Sequence, residues 1–235
     1  MSANAISLSG VVASAGVLFF SSLFMQAAYA QENTGPKMSA IVDLGEQRFQ
    51  IGEIIVDRNT QEFSVPGKIL HLSVALEYLA VSTGGMKDYE SLLELTTSPR
   101  DFNLACILIG FDDKESVKPR YQFDELEVKG PPVLMTLSWQ EDGEPRSVSA
   151  AHAMLAGEEI FDDDSWVYIG SLTSENGQEF MAERGGTLIG FVHDPYSIID
   201  HKTGGGIGAY GLITGNKTLL PAEGTAIRLT VGFAR

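Results

Sequence analysis

Runs of branched and aromatic residues, separated by glycine-containing turns, dominate the chain and predict a fold built mainly from β-strands. The pairs Asp142-Gly143, Asn176-Gly177 and Gly185-Gly186 have the composition of tight turns between antiparallel neighbours. Pro66-Gly67 is also typical of a turn. Strands are predicted over residues 41–56 (two strands), 61–65, 69–81, 86–95, 121–128, 133–139, 146–148, 166–172, 179–182, 187–192 and 225–233.

One α-helix has clear start and stop signals. Ser98 has the form of an N-cap, Pro99 suits the first helical position, and the Asp101 carboxylate favours the positive end of the helix dipole. Gly110 is typical of the helix end, and one apolar stripe is formed by Phe102, Ala105, Cys106 and Ile109. A second short helix is predicted within residues 150–155. Since helices do not alternate with strands, we predict an α+β fold, mainly antiparallel β-sheet with one or two short helices.

A recognisable signature is distributed along the chain, and its most specific part follows the predicted strand that ends at Val81. Its parts are Leu76-Glu77-Tyr78, the run GGMKDYESLL from Gly84 to Leu93, Leu108-Ile109-Gly110, WVYIGS from Trp166, FMAE from Phe180, and Asp194-Pro195 through Asp200. This pattern resembles the YdjY-type domain family, which consists of bacterial exported proteins without an assigned function. The resemblance spans roughly residues 49–200. Some members carry a cysteine before the glycine turn and have been labelled ferredoxin-like, but Ala80 and Val81 stand here, so the cofactor is left unknown.

The first 30 residues contain no Lys, Arg, Asp or Glu and end in Ala28-Tyr29-Ala30, which is typical of a signal peptide with its cleavage site. An uncleaved apolar anchor is the alternative, because the stretch is long enough to span a bilayer. We predict a signal peptide at 1–30, a disordered lead at 31–37 and a single YdjY-like domain at 38–235. The expected location is periplasmic or secreted, with no membrane span after signal cleavage.

The chain has a formal net charge of −15 and a single cysteine. An acidic surface argues against a nucleic-acid partner, because nucleic-acid binding depends on clustered basic residues. The lone Cys106 excludes an intramolecular disulfide, and its place on the apolar helix face favours a buried, unreactive thiol.

The candidate ligand-binding residues are Lys87, Tyr89, Glu90 and Ser91, which follow the Gly84-Gly85 turn. A lysine and a carboxylate beside such a turn could bind an anionic ligand or activate the serine hydroxyl. The structural alternative is that Lys87 and Glu90 simply pair. On an extended strand Lys87 and Ser91 share one face and Glu90 lies on the other, so the three can act together only if the backbone bends.

A metal site is not predicted, but a weak alternative is a divalent ion held by His193, Asp194, Asp200 and His201. Their spacing matches no established zinc motif. The acidic run Asp162–Asp164 lacks the spacing of an EF-hand loop, and the Gly206–Gly211 segment, although it satisfies G-x-G-x-x-G, is not placed between a strand and a helix.

No complete set of nucleophile, base and orienting group can be assembled from the sequence. The sequence therefore predicts an exported envelope protein that binds a small ligand or an envelope protein partner without catalysis. The alternative is a hydrolase that uses Ser91 with Lys87, or a divalent metal near His193. The sequence does not decide whether the protein is an enzyme.

Overall fold

A computed structural model describes residues 38–160, 165–204 and 211–234, which belong to one compact unit. The predicted signal peptide (residues 1–30) and the predicted disordered lead (residues 31–37) lie outside the described residues. The strands are β1 (Ile41–Gly45), β2 (Arg48–Ile51), β3 (Ile54–Asp57), β4 (Glu62–Ile69), β5 (Tyr78–Ser82), β6 (Ser91–Leu95), β7 (Val133–Glu141), β8 (Glu144–Ser149), β9 (Met154–Ala156), β10 (Glu159–Ile160), β11 (Trp166–Tyr168), β12 (Thr187–Gly190), β13 (Ile199–His201), β14 (Ile213–Gly215) and β15 (Ala226–Phe233). The helices are α1 (Pro99–Ile109) and α2 (Ala182–Gly185), with 3-10 turns at Asp88–Glu90 and Ala151–Ala153.

The main sheet branches at β4. One edge of β4 pairs along its length with β15, which continues to β7 and β8. The other edge pairs first with β3, leading to β2 and β1, and then with β6, leading to β5, β12, β13 and β11. A separate small sheet has the order β10-β9-β14. Two arms of the fold therefore share one strand.

Most strand pairs are antiparallel, as predicted, and the described residues contain two α-helices, so the broad α+β assignment is confirmed. Two pairs are parallel, which the sequence analysis did not anticipate: β5 with β6, and β12 with β13. A parallel pair needs a crossover that returns the chain to the same end of the sheet. Residues 83–90 make that crossover between β5 and β6.

Helix α1 has the predicted boundaries and cap. The Ser98 hydroxyl accepts a hydrogen bond from the Asp101 amide at 3.1 Å, and Gly110 adopts the left-handed conformation with φ of 111°. The predicted apolar stripe is buried, and the ring of Phe102 meets that of Phe63 edge to face. The helix thereby covers β3 and β4 and closes the core on that side.

The predicted turn at Pro66-Gly67 is wrong, because both residues lie inside β4. The Pro66 carbonyl accepts a hydrogen bond from the Thr96 amide at 2.8 Å, on the edge where the partner strand changes from β3 to β6. In a strand, the backbone nitrogen and the carbonyl of one residue face the same edge. Pro66, which has no N–H, therefore leaves no strand partner without a donor, because it lies where the partner of β4 changes from β3 to β6. Position 67 requires a glycine, because a Cβ there would lie 2.3 Å from the carbonyl oxygen of Glu94.

Within the described residues, no helix is both long enough and apolar enough to cross a membrane.

Candidate functional site

The Gly84-Gly85 turn leads into a 3-10 turn rather than directly into a strand. Strand β5 ends at Ser82, residues Asp88–Glu90 form the 3-10 turn, and β6 begins only at Ser91. The predicted strand over residues 86–95 is therefore correct only in its second half. The first half is used for the crossover that the parallel pairing of β5 and β6 requires.

This bend brings Lys87 and Glu90 together. The Lys87 ammonium donates a hydrogen bond to the Glu90 carboxylate at 2.7 Å, and it lies 5.7 Å from the centre of the Tyr78 ring. The Ser91 hydroxyl is buried and donates to the Lys87 carbonyl oxygen at 2.6 Å. Tyr89 points outward and is 58% exposed. Of the four candidate residues, Lys87 lines a large cavity.

That cavity, the Lys87 cleft, has a volume of about 610 Å³. Three segments surround it: the turn after β5, the loop after α1, and the loop between β12 and β13. The segment from Leu172 to the start of β12 closes the remaining side. The lining residues are Met86, Lys87, Arg120, Tyr121, Gln122, Leu172, Arg184, Gly185, Thr187, Asp194, Pro195 and Tyr196.

A buried carboxylate contributes to the wall of the Lys87 cleft. The Asp194 carboxylate accepts hydrogen bonds from the Tyr78 hydroxyl at 2.9 Å and from the Tyr196 amide at 2.9 Å. Burial raises the pKa of Asp194 above its usual value, since desolvation disfavours the charged form. Burial, reinforced by Asp194, also raises the pKa of Tyr78, so that phenol stays protonated and donates.

A second buried acid lies behind the cleft. Glu77 is 5% exposed, and its carboxylate accepts a hydrogen bond from the Gln122 side-chain amide at 3.0 Å. Burial, followed by the repulsion of Glu90, raises the pKa of Glu77 to about 7. Glu77 therefore changes its protonation state near neutral pH, next to a residue that lines the cleft.

Two arginines complete the rim of the Lys87 cleft, and each is paired with an acid of its own. Arg120 makes a two-pronged contact with Asp124, with both nitrogen–oxygen distances 2.7 Å. The hydrogen bond from Arg120 holds the pKa of Asp124 well below its usual range. Arg184 contacts Glu179 at 2.6 Å. The rim is thus rich in hydrogen-bond donors and locally neutral.

Thr187 carries a polar group that the described residues leave unsatisfied. Thr187 lines the Lys87 cleft, but its hydroxyl is fully buried and has no hydrogen-bond partner among them. Buried hydroxyl groups in native proteins are normally paired, because an unpaired one costs about 1–3 kcal/mol. The buried hydroxyl therefore costs the fold free energy, which an apolar group of the same shape would not.

Replacing Thr187 with Val is expected to raise the free energy of unfolding by about 1 kcal/mol, because Val removes the unpaired hydroxyl and keeps the shape and strand preference. Urea unfolding of both proteins measures the change. Thr136→Val, in β7 and away from the cleft, is the matched control and should change stability by no more than about 0.5 kcal/mol. A loss of stability in Thr187→Val larger than the control's would show that the hydroxyl is paired after all.

The four residues of the metal alternative are close together but engaged in other contacts. Both ring nitrogens of His193 face backbone carbonyl oxygens, those of Asp124 and His201. The Asp200 carboxylate accepts hydrogen bonds from the amides of Asp194 and His201, and burial raises its pKa well above the usual value. Burial also lowers the pKa of His201 to about 4. Across residues 38–160, 165–204 and 211–234, no three His, Cys, Asp or Glu side chains form a group that could hold a metal ion.

The site also contains residues that sequence reasoning missed, chiefly Glu77, Tyr78, Gln122 and Thr187. The sequence feature that could have identified Glu77 is its position as an ionisable residue inside an apolar run, directly before β5. The acidic run Asp162–Asp164 and residues 206–210 of the glycine-rich segment lie outside the described residues.

The fold and this cleft define a mainly antiparallel α+β domain with a polar, partly buried cavity. The YdjY domain matches residues 54–232, which is most of the chain, and the protein belongs to this family. The resemblance inferred from the Gly84–Leu93 run is thereby confirmed. No curated protein and no solved structure matches the chain significantly.

Proposed function

We propose that the protein is an exported envelope module that binds a small ligand in the Lys87 cleft without catalysing a reaction. The observation that carries this proposal is a cavity of about 610 Å³ that has the buried acid Asp194 among its lining residues. Lys87, Gln122 and Asp194 line the same cavity and offer both donors and acceptors. Convergent polar groups on an apolar wall are typical of small-ligand sites.

Two contacts support binding over hydrolysis at this position. Ser91 is 0% exposed, and its hydroxyl donates to a backbone carbonyl instead of to a base. The ammonium of Lys87 is held by Glu90, so it is not placed to take a proton from Ser91. A serine nucleophile needs an adjacent base and access to its substrate. A metal-dependent hydrolase near His193 would require the ring to give up its two carbonyl contacts.

The proposed location rests on the leader. Residues 1–30 have the composition of a signal peptide, and the net charge of −15 falls entirely on the rest of the chain. A periplasmic or secreted module would meet its ligand, or an envelope protein partner, outside the cytoplasm.

Screening small metabolites by thermal shift tests the proposal. A ligand of the cleft is expected to raise the melting temperature of the native protein, and Lys87→Met is expected to change its affinity by about three- to tenfold, because Lys87 lines the cleft wall. Arg146→Met is the matched control: it removes an exposed cation paired with Glu141 in the β7–β8 hairpin, and affinity should be unchanged. Binding that responds equally to both variants, or to neither, would place the ligand elsewhere.

A further inference from the structure

The basic and acidic side chains that line the Lys87 cleft differ in whether they have an ion-pair partner. Each base that lines it has an acid of its own: Lys87 pairs with Glu90 at 2.7 Å, and the rim arginines pair with Asp124 and Glu179 at 2.7 and 2.6 Å. An anionic ligand would have to compete with carboxylates that already hold these cations. The basic residues therefore do not define the ligand's charge.

Asp194 is the one acid among the described residues that line the cleft, and it makes no ion pair with any of them. Its two hydrogen-bond donors, the Tyr78 hydroxyl and the Tyr196 amide, are both neutral. A buried carboxylate without a counter-ion is costly, and the raised pKa of Asp194 reflects that cost. A cation placed beside it would recover part of this free energy.

We propose that the ligand of the Lys87 cleft carries an organic cation, an ammonium or a related group, and that Asp194 is its counter-ion. This inference rests on the proposed function and adds the chemical class of the ligand. The Tyr121 ring, together with the apolar side chains of Met86 and Leu172, offers a surface for the ligand's carbon skeleton and for cation–π contact.

The negative net charge of the whole chain also favours a cationic ligand. A net charge of −15 attracts cations and raises their concentration near the surface at low salt. Glu77, behind the cleft, repels Asp194. Glu90 also repels the Asp194 carboxylate, while Lys87, which is bonded to Glu90, attracts it more strongly than Glu90 repels it.

Three probes of one shape and different charge test the inference: 2-phenylethylamine, 2-phenylethanol and phenylacetate. Binding to the full-length protein is followed by chemical-shift changes in NMR titrations at fixed ionic strength. The amine is expected to bind at least about tenfold more tightly than the alcohol, and the carboxylate more weakly than either. Equal binding of amine and alcohol, or preferred binding of the carboxylate, would overturn the assignment.

Asp194→Asn gives the second test, because the side chain keeps its size and one acceptor oxygen for Tyr78 or Tyr196 but loses its charge. The amine should lose about tenfold in affinity, whereas Asp142→Asn, in the exposed β7–β8 turn, should leave affinity unchanged.

The pH dependence of amine binding to the native protein is a third test, which does not depend on the folding of a variant. Amine binding should weaken as pH falls through the raised pKa of Asp194, since protonation removes the counter-ion. Amine binding that is independent of pH in this range would contradict the role of Asp194.

The outcomes separate this inference from the proposed function. If the amine does not bind but a neutral or anionic metabolite binds and responds to Lys87→Met, the cleft is a ligand site and the cationic assignment is wrong. If no small molecule responds to substitutions in the cleft, both are wrong.

Discussion

Phe102→Ala is expected to lower the free energy of unfolding by about 3–5 kcal/mol. Phe102 is fully buried on α1, and its ring centre lies 5.2 Å from that of Phe63 in an edge-to-face arrangement. The substitution removes buried apolar surface and the contact between the rings, and it leaves a cavity between α1 and β4. Urea unfolding at constant pH, followed by circular dichroism, measures the loss.

Ile107→Ala is the control on the same helix. Ile107 is 51% exposed, and alanine is the better helix former, so the free energy of unfolding should stay within about 0.5 kcal/mol of the native value. Similar losses in the two variants would mean that α1 does not turn its Phe102 face to the sheet.

Glu77→Gln is expected to make the protein more stable at pH 8 by roughly 3 kcal/mol, and at pH 5 by no more than about 1 kcal/mol. The folded-state pKa of Glu77 is raised from 4.5 to about 7, so the fold favours the protonated carboxyl. Its contribution to stability is fully present below pH 4.5 and is lost as pH rises through 7. Glutamine keeps an oxygen that can accept the Gln122 hydrogen bond but cannot ionise.

Urea unfolding at several pH values between 5 and 8 gives the two stability curves. Glu144→Gln, in the exposed β7–β8 hairpin, is the matched control and should follow the native curve. The prediction concerns the slope: the native protein should lose stability relative to Glu77→Gln as pH rises. A constant difference between the two curves would show that the Glu77 carboxyl does not titrate in this range.

Elements defined by neighbouring residues were predictable from the sequence. The cap at Ser98, the helix end at Gly110 and the two-residue turn Asp142-Gly143 between β7 and β8 all depend on the conformational preferences of the residues themselves. The mainly antiparallel character of the sheet follows from the number of short strands and glycine turns.

Elements defined by distant partners were not predictable in the same way. Pro66-Gly67 has the composition of a turn, but pairing with β15 and β6 holds it in a strand. Residues 121–128 have strand-like composition and form no strand, because the loop is held by Asp124 and by the contact of the Phe123 amide with the His193 carbonyl. Long-range hydrogen bonds override local preference in both places.

The candidate site was predicted only at Lys87. The bend that joins Lys87 to Glu90 follows from the parallel pairing of β5 and β6, and no local signal in residues 86–90 specifies it. Asp194 was considered as a metal ligand, but its contacts with Tyr78 and Tyr196 place it on the cleft wall. Gln122 and Thr187 reach the cleft from segments distant in sequence, so only the folded chain identifies them.

The position of β4 in the chain has a consequence for how the protein reaches its folded state. A chain synthesised from its amino-terminal end delivers β4 early, whereas β15, which covers one whole edge of β4, is the last of the described strands to arrive. Until then the branch point of the sheet carries unpaired backbone groups and uncovered apolar side chains. Completion of the sheet therefore awaits β15, and a chain without this strand would keep its sequence signature but lose the element that closes the centre of the sheet.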